Sequence, residues 1–162
     1  MKKFIVTLVI ALVPSLFFAQ SAFDKFDGQD DVTSVVVNKK TFEMLGGIEG
    51  QVKDKDISKY VGFAKDIESL KMYTTTSTRV TTDMKAAFES YRKKESLEEL
   101  VRITEKGKNV GVYVKSGNKS SKIKEVVVFV EGGNKKGEET LLLTLKGDFN
   151  LDSLADLQAS SK

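Results

Sequence analysis

Four β-rich runs fill most of the second half of the chain: LVRITE (100–105), NVGVYVK (109–115), KIKEVVVFVEG (122–132) and ETLLLTLKG (139–147). The separators KGK, SGNKSS and GNKKGE are rich in turn residues, and consecutive strands on short links form an antiparallel meander. The first half has a different period. VTSVVVN (32–38) is a β-branched run of strand length. Phe42, Leu45 and Ile48 recur at helical spacing, a short helix that Gly46, Gly47 and Gly50 help to end. Asp56 can cap a second helix with Ile57, Tyr60, Val61, Ala64 and Ile67 on one face. LKMYTTTS (70–77) returns to strand character, and a longer helix starts at Thr78, with Val80, Met84, Ala87, Phe88 and Tyr91 on one stripe. Helices first and strands second predict an α+β fold: a mainly antiparallel sheet of five to six strands, ending in a meander, with helices packed on one face.

Alternation along the strands separates two sets. Val101, Ile103, Val110, Val112, Val114, Val126, Val128, Val130, Leu141, Leu143 and Leu145 form the regular apolar set and are expected to face the helices. The opposite face is then expected to be wet, yet its middle holds Tyr113, Val127, Phe129 and Leu142. Those four are the candidate interaction surface, for a protein partner or a second copy. The competing reading is internal cover by a further layer, the N-terminal lead-in or a C-terminal helix.

The ends define the domain. Lys2 and Lys3 precede an apolar stretch from Phe4 to Phe18, too short to span a bilayer comfortably, with small residues at Ala19, Ser21 and Ala22. Residues 1–20 therefore read as a signal peptide cut somewhere within 19–22, and 21–162 as a single α+β domain. The polar, acidic residues 21–31 read as a loose lead-in. No later apolar run has membrane-spanning length. With no cysteine in the chain, there is no lipid-anchor site and no disulfide, so the core alone must stabilise the fold. The short Lys-Lys leader suggests a Gram-negative bacterium and a periplasmic or secreted protein. The formal charge of +3 falls to +1 once Lys2 and Lys3 leave, which gives no electrostatic footprint for nucleic acid.

Chemistry is scarce. Histidine and cysteine are both absent, which removes the commonest acid-base group, the thiol nucleophile, the usual zinc ligands and any serine triad. Glu98-Glu99 and Glu138-Glu139 sit beside strand ends as solvated surface. GGIEG (46–50) lacks a phosphate-loop ending, and TTTSTRVTT (74–82) reads as a strand end and helix cap, although Arg79 could serve an anion there. The lysines around 115–124 and at 135–136 read as solubility and edge protection. Asn118-Lys119-Ser120 matches a glycosylation sequon that means little in a bacterial chain. GDFNLDSLADLQ (147–158) places Asp148, Asn150 and Asp152 like calcium ligands, but Ser153 and Ala159 stand where that loop needs glycine and glutamate. It reads better as the start of a last helix, with Asn150 as N-cap and Phe149 packing on Leu154. No catalytic, cofactor-binding or metal-binding residue is assigned. The expectation is a non-enzymatic exported binding module of the cell envelope. A periplasmic carrier of a small apolar ligand or lipid is the alternative, and an enzyme using carboxylate or lysine chemistry is the second.

Several stretches together carry a likeness: Val35-Val36-Val37 before Lys40-Thr41-Phe42, Ile67-Glu68-Ser69-Leu70-Lys71, Leu97-Glu98-Glu99-Leu100 leading into Val110 to Val114, and Lys124-Glu125-Val126-Val127-Val128 running on to Leu145-Lys146-Gly147-Asp148. In these the chain resembles the domain of unknown function 4252 family, small exported proteins of Gram-negative bacteria. The resemblance covers most of the mature chain and implies one exported domain. It supplies no activity, cofactor or site residue. Some members have the lipoprotein cysteine that this chain lacks, which implies a protein soluble after cleavage.

Overall fold

Among the described residues six strands carry the fold, and the turns between them follow from local sequence. The computed structural model describes residues 21–47, 61–119, 121–132 and 137–150. In chain order the elements are β1 (Thr33–Asn38), α1 (Lys39–Gly46), β2 (Ile67–Thr75), α2 (Thr78–Lys94), β3 (Glu98–Glu105), β4 (Lys108–Ser116), β5 (Lys122–Glu131) and β6 (Thr140–Asn150). Residues 61–64 are also helical. Asn38 ends β1 and caps α1, its side-chain oxygen accepting the Thr41 N–H at 3.2 Å. Lys106 and Gly107 take φ of 48° and 84°, the paired left-handed geometry of a tight hairpin, and so join β3 to β4.

The sheet order is β1-β2-β6-β5-β4-β3, antiparallel throughout. The meander of the second half is present as expected, and β2 joins it by pairing with β6. The fold is α+β. No helix among the described residues is long and apolar enough to cross a membrane.

The helices divide between the two faces. Val80, Met84, Phe88 and Tyr91 of α2 pack with Tyr73, Tyr113, Val127, Phe129 and Leu142. Phe42 of α1 and Ala64 pack on the other face with Val114, Ile123 and Phe149. Gly147 makes room there, since a Cβ would stand 2.1 Å from the Asp66 carbonyl and 2.6 Å from the Phe149 ring.

This arrangement reverses the expected exposure of the meander. Tyr113, Val127, Phe129 and Leu142 are 5, 0, 7 and 0% exposed, so they are core and not an open interaction surface. The reason is size. The α2 stripe presents Phe88, whose ring stacks on Phe129 at 4.8 Å and tilts against Tyr113 at 4.9 Å. Large rings fill the gap between helix and sheet better than a row of valines. Gly111 assists: a Cβ there would lie 2.5 Å from the Tyr113 ring, which folds back over it.

The lead-in is a second correction. Residues 24–26 form a single 3-10 turn, and Phe23 and Phe26 are each 1% exposed. Phe23 meets Tyr91 at 4.8 Å between ring centroids, Asp24 pairs with Lys71, and Thr75 donates to the Asp31 carbonyl at 2.6 Å. The segment seals one side of the α2 core. Helical structure upstream of Ile67 ends sooner than the periodicity suggested, because Ile67 opens β2. The expected C-terminal helix and the upstream half of the 57–67 helix lie outside the described residues.

Candidate interaction surface and polar cleft

The strand register lines up side chains in rows across the face opposite α2. One row runs Val101, Val112, Val128, Leu143, Met72, Val35, and so crosses all six strands with apolar residues alone. The next row runs Ile103, Val110, Val130, Leu141, Thr74, Thr33. A third, Val114, Val126, Leu145, Leu70, Val37, is the one that α1 and residues 61–64 cover. The first two rows belong to neither core cluster among the described residues. Val101 and Ile103 are 45% and 53% exposed, and Val110, Val112, Val128, Val130, Leu141 and Leu143 are half-buried. At ~4.8 Å between strands, the first row alone is about 24 Å long. Contiguous apolar surface of this extent marks a docking site more often than a solvated face.

A polar cleft of about 760 Å³ opens on the α2 side, where the sheet extends beyond the helix. Its floor is Glu125, 3% exposed, whose two carboxylate oxygens accept the Tyr91 hydroxyl at 2.8 and 3.0 Å. Burial pushes the Glu125 carboxyl above the usual range, opposed by the Tyr91 bond and by Lys146, whose Nζ lies 3.8 Å away. The Tyr91 hydroxyl is held well above its ordinary value by burial and by Glu125. Lys71 pairs with Asp24 and Lys115 with Glu95, while Lys124 reaches Asp148 at 3.3 Å. Most of the charged lining is therefore paired, and Glu68 and Lys94 complete it. A carboxylate acting as a general base must offer an oxygen to substrate; Glu125 is buried with both oxygens on the Tyr91 hydroxyl, and it ties β5 to α2.

The other sequence candidates fall apart from one another. Asp148 lies in β6, between Lys122 at 3.5 Å and Lys124, and the Lys124 contact leads in holding its carboxyl below the usual range. Arg79 stands 3.8 Å from Asp31, and Thr75 is engaged with the backbone of Asp31 and Ser77. Among the described residues no group of three or more His, Cys, Asp or Glu could hold a metal ion. Sequence reasoning missed the Glu125–Tyr91 tie. Its signal was Glu125 preceding Val127 and Phe129 at alternate positions, which puts a carboxylate on whichever face those residues bury.

A family model described as a domain of unknown function (DUF4252) matches residues 26–157. Neither a curated protein nor a solved structure matches the chain.

Proposed function

Starting from the chain's membership of the DUF4252 family, we propose that it is an exported, non-enzymatic interaction module of the bacterial cell envelope, docking through the open sheet face. The observation that carries this reading is the pair of apolar rows led by Val101 and Ile103, which no described element covers. Export rests on the leader-like residues 1–20, and it places the module in the periplasm or the medium. The mixed-charge cleft is assigned no chemistry, because its one buried carboxylate is closed off by Tyr91.

A photo-crosslinker placed at Val112 tests the reading in intact cells. Discrete adducts are expected from Val112 in the periplasmic or secreted fraction, and none from a crosslinker at Lys93, on the exposed side of α2. Equal adducts from both positions, or none from either, would contradict it.

A further inference from the structure

The two edges of the sheet are built differently. β3 carries Glu98, Glu99, Arg102 and Glu105, with a register shift between Glu99 and Val101. Charges and bulges are what keep an edge strand from pairing with another chain. β1, TSVVVN, has neither a charge nor a proline, and its register with β2 is unbroken. Val35 and Val36 on it are 39% and 50% exposed. Among the described residues, the neighbouring elements lie over the faces of β1 and none pairs with its outer edge. Phe42 of α1 packs on the face that holds Val37, and Asp27 accepts from Ser34 Oγ at 2.5 Å on the other.

Charge marks the ends of this bare strand. Asp30 and Asp31 come just before it and Lys39 and Lys40 just after, all exposed. Opposite charges at the two ends make a strand self-complementary when antiparallel and self-repelling when parallel. With a two-fold axis at Val35, that residue meets its own copy, Thr33 meets Val37 and Ser34 meets Val36. The acidic pair Asp30 and Asp31, in the turn before the strand, and the second copy's basic pair Lys39 and Lys40, at the start of its α1, are then brought to the same end of the joint. The present pairs of Asp31 with Arg79 and of Lys39 with Glu43 are both 3.8 Å long and exposed, so exchanging them costs little. The same axis keeps each sheet face on its own side, and the row ending at Val35 continues into the same row of the second copy.

We propose that the protein is a two-fold dimer formed by antiparallel pairing of β1 with the second copy's β1, which joins two sheets of six strands into one and doubles the apolar face. The inference rests on the reading of that face as a docking surface, since the dimer extends it across two copies.

Charge reversal tests it on the full chain by sedimentation velocity, with circular dichroism to verify folding. Lys39→Glu with Lys40→Glu makes both ends of β1 acidic, and Asp30→Lys with Asp31→Lys makes both basic. Each variant alone is expected to stay folded and to dimerise at least about tenfold more weakly than the parent. An equimolar mixture of the two should form a heterodimer at least as tight as the parent dimer. A parent chain that stays monomeric up to ~1 mM, a reversed variant that dimerises like the parent, or a mixture that stays monomeric overturns the proposal. The Val112 crosslinks are read on the same variants. Adducts that persist when the dimer proposal fails leave the docking surface standing, and their absence from the parent chain removes the docking surface itself.

Discussion

The two faces of the sheet solve the same problem with different materials. Under α2 the sheet uses few residues and large ones: Tyr73, Tyr113, Val127, Phe129 and Leu142, closed by Phe88, Met84 and the lead-in aromatics Phe23 and Phe26. The opposite face uses many residues and smaller ones, chiefly valine and leucine, and among the described residues α1 with residues 61–64 covers only one of its rows. The larger apolar count thus belongs to the face that the described residues cover less. Ring area and helix complementarity, not the number of apolar positions, decide which face becomes the core.

The strongest way to break that contrast is to empty the aromatic stack. Phe129→Ala removes the ring that Phe88 stacks upon, and should cost about 3–5 kcal/mol in chemical denaturation. A loss below ~1 kcal/mol would mean that the α2 face is loosely packed.

At the polar margin of the same face, Glu125→Ala strands the buried Tyr91 hydroxyl and should cost about 1–3 kcal/mol. Glu125→Gln keeps an acceptor for that hydroxyl and removes the charge. The folded-state carboxyl is raised by burial, so its proton-linked stability is complete below the ordinary carboxylate range and is lost as pH rises through the raised value. The parent should therefore gain on Glu125→Gln as the pH is lowered through that window and fall back toward neutrality. A gap between the two that does not vary from pH 4 to 8 would contradict the buried-carboxylate account.

The smallest effect belongs to the open face. Ile103→Lys should change monomer stability by no more than about 0.5 kcal/mol, because the side chain is already more than half exposed. A larger loss would show that something covers β3.

The elements themselves were legible in the sequence. The α2 stripe of Val80, Met84, Phe88 and Tyr91 is buried as its spacing predicted, and the four β-rich runs became consecutive strands. Alternation, however, fixes only which residues share a face; it does not say which face a helix will take. That choice depended on Phe88 meeting Phe129 and Tyr113, contacts between residues far apart in the chain. Phe23 and Phe26 were misread because two aromatics in an acidic lead-in show no periodicity, and only the tertiary pocket beside Tyr91 and Tyr73 gives them a role. The residues read as a candidate surface, Tyr113, Val127, Phe129 and Leu142, are buried under α2, one residue along β4, β5 and β6 from the half-buried apolar rows.

That one-residue difference permits the most direct test. Val127 and Val128 are neighbours on β5 with the same side chain; the first is 0% exposed beneath α2 and the second lies half-buried in the open apolar row. Equilibrium denaturation of Val127→Lys beside Val128→Lys should find no cooperative folded state for the first and a folded, cooperatively melting protein for the second. Equal loss of folding in both would contradict the distinction between the sealed face and the proposed docking face.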